Sequence, residues 1–308
     1  MRVAFWGTPE FAAPSLRALV GEGFEVVGVV TQPDKPQGRS REIFPSPVKR
    51  IAIDEEIPLF QPKNARDPEL FQKLSDLKPD ISVVVAYGHI LPRKIIDLPK
   101  LGTLNIHASL LPALRGAAPI HAAIRQGLTQ TGVTVMRVVP ALDAGPIILQ
   151  ADTPILEDET YGELRVRLSE LGALALVEAM TLVTLGKAEE TSQDNSRATY
   201  TVKVTRESSR IDWKDSALAI SRLIRSSDPK PGAFTKTPMG DVKLFGPKVM
   251  DGIKGTPGEV LIAAGELVIA CGVDAIRISG VQPEGKSRMS AHEWVRGRGT
   301  AVGDRYGG

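Results

Sequence analysis

Two patterns of apolar and polar positions divide the chain. In the first, short unbroken apolar runs alternate with stretches of helical period. In the second, beyond residue 215, brief alternating runs are punctuated by Gly and Pro. Residues 2–6, 26–30, 81–86, 103–106 and 133–138 read as buried or half-buried strands, with helices predicted between them at 47–54, 68–77 and 118–126. After the first strand, Thr8 is placed to cap a helix. Pro9 suits its first turn, Glu10 complements its dipole, and Phe11, Leu16, Leu19 and Val20 carry it to Gly21. Residues 163–185 predict a long helix, apolar on much of its circumference and therefore packed on the sheet. Strands joined by crossover helices predict βαβ units and a parallel sheet.

Residues 186–195 are polar and without period, and 197–204 read as extended. A short helix through Ala217, Ile220, Leu223 and Ile224 follows, then strands at 242–245, 258–263, 267–271 and 275–281. Their spacing predicts a small β-barrel rather than more βαβ units. The expected organisation is an α/β domain over residues 1–189, a linker over 190–205 and a second domain over 206–308.

Composition removes whole classes of function. The chain has 308 residues, 42% of them hydrophobic, and a net charge of +2, which excludes a disordered polyelectrolyte. No apolar run reaches the roughly 18 residues that span a bilayer, and the N-terminus does not read as a signal peptide. A single cysteine, Cys271, excludes an intramolecular disulfide and a multi-thiolate metal site and fits a reducing cytoplasm. Residues 1–189 carry −2 and residues 190–308 carry +4, a mild asymmetry open to two readings: ordinary surface variation, or a polyanion-facing second half. The connection 32–47 holds four Pro together with Lys35, Arg39 and Arg41, and connections of that length are usually functional or disordered.

Nucleotide chemistry is disfavoured. Gly7-Thr8-Pro9-Glu10-Phe11 lacks the glycines that admit a pyrophosphate, Thr31-Gln32 stands where a ribose-binding acid is wanted, and there is no phosphate-binding GxxxxGK[ST] loop. Asn105 and His107 lie two apart on a predicted strand, so both face one side. An amide and an imidazole at a strand end suit a developing oxyanion; equally, such a pair can be a core histidine and a turn-closing asparagine. Asp143 sits in a tight turn after another strand, as a turn former or as a carboxylate that orients the imidazole. Cys271, on a predicted strand, reads as a buried structural thiol.

The Asn105-x-His107 pair, Ser109-Leu110-Leu111-Pro112, Arg115-Gly116-Ala117-Ala118-Pro119-Ile120 and Leu142-Asp143-Ala144-Gly145 together resemble the formyltransferases that use 10-formyltetrahydrofolate. Further stretches are similar to the branch of that family whose acceptor is methionine esterified to initiator tRNA. They are Phe5 to Phe11, Pro33 to Arg39 with Pro45 to Lys49, Arg210 to Trp213, Pro231 to Phe234 and Gln282 to Lys286. The resemblance implies a Rossmann-like parallel-sheet formyltransferase domain followed by a smaller OB-like β-barrel domain that binds tRNA. It implies Asn105 and His107 as oxyanion stabilisers and Asp143 as support for the histidine and for proton transfer. Ser109, Leu110, Leu111 and Pro112, with Tyr87 and Gly88 nearby, would line the tetrahydrofolate site. Lys35, Arg39 and Arg41 would meet the tRNA. The implied partners are initiator methionyl-tRNA and 10-formyltetrahydrofolate, with no metal and no membrane, in a cytoplasmic monomer. Three positions depart from the family's pattern: Glu42 in the basic loop, Ala113 after the SLLP run, and Lys230 between Pro229 and Pro231.

Overall fold

The computed structural model describes residues 1–34, 36–37 and 42–307, leaving aside the side chains of 36–37 and 42–43. Two compact units emerge. The first holds Met1–Gly116, Gln130–Pro154 and Arg165–Thr201; the second holds Ala117–Thr129, Ile155–Leu164 and Val202 onward.

Seven strands build the main sheet of the first unit: β1 (Arg2–Gly7), β2 (Glu25–Val30), β3 (Leu59–Phe60), β4 (Ile81–Val85), β5 (Thr103–His107), β6 (Gln130–Arg137) and β7 (Ile147–Pro154), in spatial order β7-β6-β5-β4-β1-β2-β3. The five strands from β3 to β5 are parallel. β1 and β4 are continuous apolar runs because helices cover both faces of such a sheet. The predicted strand at 133–138 exists as β6 but runs antiparallel to β5, and β7, which the apolar pattern did not reveal, returns antiparallel beside it. β7 is an edge strand with alternate residues exposed, so no buried run marks it.

The long helix Tyr161–Thr184 lies against the sheet as expected where it belongs to this unit: a Cβ on Gly172 would stand 3.2 Å from Ile106, so the small residue sets the close approach. Thr8 does not cap the first helix. A 3₁₀ turn, Glu10–Ala12, leads into Ala13–Gly21 with Pro9 at the cap position and no side-chain bond there. The Thr8 hydroxyl instead accepts the Gln32 N–H at 3.2 Å and meets the Thr31 hydroxyl at 3.3 Å, tying the ends of β1 and β2.

In the second unit, the helix Ala217–Ser227 is capped by Ser216, which accepts the Ala219 N–H at 3.2 Å. It packs on the helix Pro119–Gln126 and on an antiparallel sheet ordered Phe234–Thr237, Gly240–Met250, Ala275–Pro283, Leu267–Ala270, Val260–Ala263, with Met289–Ser290 added beside Ala275–Pro283. This half-barrel closes over a core that includes Trp213, Ile220, Leu244, Ile276 and Trp294. Ser290 and Glu293 form a capping box on the last helix, Ala291–Arg296.

Candidate active site

β5 lies inside the sheet, with β4 on one side and β6 on the other, and its alternation brings Asn105 and His107 to one face at its carboxyl end. His107 is buried. Its Nε2 lies 2.9 Å from the carbonyl of Leu114, which can only accept, so Nε2 carries the proton in the neutral ring. Nδ1 then presents a lone pair 3.6 Å from Oδ2 of Asp143. A proton gained at Nδ1 would meet a carboxylate. Half-buried Asn105 keeps its amide clear of hydrogen bonds with other described residues.

Asp143 is held in an unusual conformation, φ +47°, in the turn between β6 and β7. Its Oδ2 accepts the Gly116 N–H at 2.8 Å. Glycine is required at both ends of this arrangement. A Cβ on Gly145 would stand 1.8 Å from the Arg137 carbonyl; one on Gly116, where φ is +107°, would stand 2.5 Å from that of Thr201. Arg115 and Gly116 pair in parallel with Tyr200 and Thr201, so the segment read from sequence as an extended linker lies beside the site's own loop.

The loop between His107 and Arg115 is fixed by a polar lattice. The Ser109 hydroxyl donates to the Ala113 carbonyl at 2.6 Å. Thr134 on β6 donates to the Ser109 carbonyl at 2.7 Å and accepts the Leu111 N–H at 3.1 Å. Gln150 on β7 donates to the Leu111 carbonyl at 2.9 Å. Ser109 and Leu111 are buried within this lattice, whereas Leu110 and Pro112 are half-buried.

Tyr87 and Gly88 follow β4, the neighbour of β5. Tyr87 is buried edge-on to Trp6, at 5.2 Å between ring centres, and burial pushes its hydroxyl up to about 12. Gly88 joins His89 and Ile90 in one wall of a cleft of about 1050 Å³, whose other wall is Gln61–Pro68; Asn105, His107 and Asp143 do not line it. Thus Asn105, His107, Asp143 and Ser109–Pro112 gather around the end of β5, with Tyr87 and Gly88 one strand away. Lys35, Arg39 and Arg41 lie outside the described residues. Sequence reasoning missed Thr134, Gln150 and Gln193, whose long-range bonds leave no periodic signal.

Elsewhere, burial pushes the Cys271 thiol up to about 12, as befits a structural thiol. Among the described residues no group of three or more His, Cys, Asp or Glu could hold a metal, and no helix is long and apolar enough to cross a membrane.

Comparison with known proteins identifies the family. The formyl transferase family model matches residues 1–180, and the model for the formyl transferase C-terminal domain matches 203–299. The methionyl-tRNA formyltransferase of Methylococcus capsulatus is 44% identical over 308 residues, covering all of both chains. Among solved structures, an N-formyltransferase from Helicobacter canadensis, in complex with folinic acid and dTDP-3-aminofucose, shares the fold. Its TM-score is 0.69 at 17% identity, over 90% of this chain and 97% of its own. HypX from Aquifex aeolicus in complex with tetrahydrofolic acid gives a TM-score of 0.65 at 20% identity, over 95% of this chain, which spans about half of that longer protein (46%). The chain belongs to the formyltransferase family, in its methionyl-tRNA formyltransferase branch.

Proposed function

We propose that this chain moves the formyl group of 10-formyltetrahydrofolate to the α-amine of methionine on initiator methionyl-tRNA, giving N-formylmethionyl-tRNA for translation initiation. The observation that carries the reading is identity of 44% to a curated methionyl-tRNA formyltransferase along the entire chain, second unit included. The formyl donor arrives activated, so the reaction needs no metal. The amine nitrogen attacks the formyl carbon, an oxyanion forms, and the bond to the folate N10 breaks as a proton passes to that nitrogen.

Asn105 and His107 stabilise the oxyanion, and Asp143 supports the histidine and the transfer of the proton. The imidazole accepts it at Nδ1, where the Asp143 carboxylate stabilises the resulting cation. Ser109, Leu110, Leu111 and Pro112, with Tyr87 and Gly88, line the folate. Lys35, Arg39 and Arg41 grip the acceptor end of the tRNA through phosphate contacts and base stacking. In this reading residues 1–189 are the catalytic domain, 190–205 the linker and 206–308 the tRNA-binding OB-like domain of a cytoplasmic monomer.

Labelled formyl transfer tests it. Label is expected on methionyl-tRNA, with uncharged tRNA and free methionine left blank. Transfer to a small amine such as a sugar nucleotide, or release of label as formate, would overturn the acceptor. Arg39→Ala should lower kcat/KM for the tRNA strongly while folate affinity holds; equal loss of both would place Arg39 at the folate instead.

A further inference from the structure

The Asp143 turn is gripped from behind by a residue the reaction does not name. Gln193 donates both hydrogens of its amide nitrogen into the turn, one to the carbonyl of Asp143 at 2.9 Å and one to that of Gly145 at 2.7 Å. Its amide oxygen faces the other way and accepts from Arg115, from Nε at 3.1 Å and from Nη2 at 2.7 Å. Arg115 is only 2% exposed, and its remaining side-chain partners are the Asn195 amide oxygen at 2.9 Å and the Tyr200 hydroxyl at 3.3 Å. None of these acceptors is a carboxylate. A buried cation therefore fixes which way the Gln193 amide points: oxygen toward the guanidinium, nitrogen toward the turn.

The turn needs holding. Asp143 occupies the left-handed region, which is uncommon for residues other than glycine, although aspartate enters it more readily than most. That conformation brings the carboxylate to the Gly116 N–H and to His107. We propose that Gln193 is a positioning residue for Asp143: its amide, oriented by buried Arg115, locks the turn so that the carboxylate faces the imidazole. The inference rests on the catalytic reading of Asp143 given above. It also gives Gln193, in the segment 190–205 read from the sequence as a linker, a part in the chemistry.

Gln193→Glu separates this role from plain structural support. The new carboxylate keeps, and strengthens, the bond to Arg115, but it loses both donors to the turn and sets negative charge against two carbonyl oxygens. Gln193→Ala removes both sides at once, and Asn195→Ala removes only one of Arg115's far-side partners. The full-length variants would be compared in melting temperature, in KM for methionyl-tRNA and for 10-formyltetrahydrofolate, and in kcat. Gln193→Glu should melt near wild type and keep both KM values within about twofold, yet lose kcat by about 10- to 100-fold, the scale of a small misplacement of a reacting group. Gln193→Ala should lose at least as much kcat and melt earlier, whereas Asn195→Ala should keep its kcat. Wild-type kcat in Gln193→Glu, or kcat losses that follow melting temperature across the three variants, would overturn the proposal. Should Gln193→Glu fail to fold, wild-type kcat in Gln193→Ala would overturn it. Asp143→Ala, measured alongside, separates the two failures. Full activity there would bring down the catalytic reading and this proposal with it; loss there beside an intact Gln193→Glu would bring down this proposal alone.

Discussion

Two carboxylates, one in each compact unit, are both largely buried and are held in opposite ways. Asp228, in the second unit, is fully answered: Arg288 meets its Oδ1 at 3.0 Å and its Oδ2 at 3.3 Å, and the same guanidinium lies 3.9 Å over the Phe245 ring. Asp143, in the first unit, has one oxygen engaged, by a single backbone N–H at 2.8 Å, and faces an imidazole at 3.6 Å rather than a guanidinium. Its backbone is strained where that of Asp228, at φ −85°, is ordinary. A carboxylate held by a matching fork keeps its charge and holds a structure together. A carboxylate left half-answered beside a titratable ring can stabilise the proton that the ring takes up. In the proposed reading, the left-handed backbone and incomplete pairing of Asp143 are where the molecule gives up stability for chemistry.

The contrast predicts opposite phenotypes. Asp143→Ala should lower kcat by about 10²–10³, the scale of losing one positioned catalytic group, with melting temperature little changed. Asp228→Ala should do the reverse. Breaking a bidentate pair at a buried carboxylate should cost about 1–3 kcal/mol, discounted because Arg288 is half exposed, while kcat of the folded protein holds. Denaturant midpoints and steady-state rates on the two variants check both halves. Asn105→Ala should resemble Asp143→Ala, since it removes a donor and no structural bond among the described residues.

The histidines sharpen the same contrast. His107 has a carboxylate beside it; His121 stacks on Tyr161 at 3.8 Å between ring centres, and burial pulls it from 6.5 to about 4. His121 is therefore neutral in the folded protein at neutral pH. Because the unfolded chain binds this proton more tightly, stability is complete above pH 6.5 and is lost as pH falls toward 4. The loss should be about 1–3 kcal/mol, allowing for partial exposure. His121→Phe, which keeps the stack, should flatten this acid limb in midpoints measured between pH 4 and 7.5, with kcat unchanged.

What could be read from the residues, and what could not, follows from the range of the interactions. β1, β2 and β4 are largely apolar runs whose neighbours in sequence reveal them, and on β5 a strand's period of two places Asn105 beside His107 without any tertiary knowledge. The antiparallel direction of β6 is set by partners far along the chain, and the half-exposed residues of β7 carry no apolar signature. Thr8 has the chemistry of a cap, yet its hydroxyl is taken by Thr31 and Gln32, more than twenty residues away. Gln193 stands in a polar run that offers no reason to prefer it to its neighbours; only the fold brings it to Asp143 and Gly145. Residues 117–129 and 155–164 precede the sequence-level boundary near 189 but cluster with the second unit, where the helix Pro119–Gln126 finds its partner in Ala217–Ser227.

The smallest predicted effect concerns Tyr87. Its buried hydroxyl has no hydrogen-bond partner among the described residues, and it stays protonated across the working range. Tyr87→Phe deletes an unanswered polar atom, so stability should change by less than about 1 kcal/mol, on the side of a gain. The KM for 10-formyltetrahydrofolate should stay within about twofold; a larger rise would show that the hydroxyl, rather than the ring, meets the folate.

The central claim is that His107 and Asp143 act as one unit. Single-turnover formyl transfer to methionyl-tRNA, measured on His107→Ala, Asp143→Ala and the double variant at saturating 10-formyltetrahydrofolate, tests it directly. Residues that share one task lose it together, so the double variant should be little slower than the slower single variant. Rate losses that multiply in the double variant, or a near-wild-type rate in either single, would contradict the account.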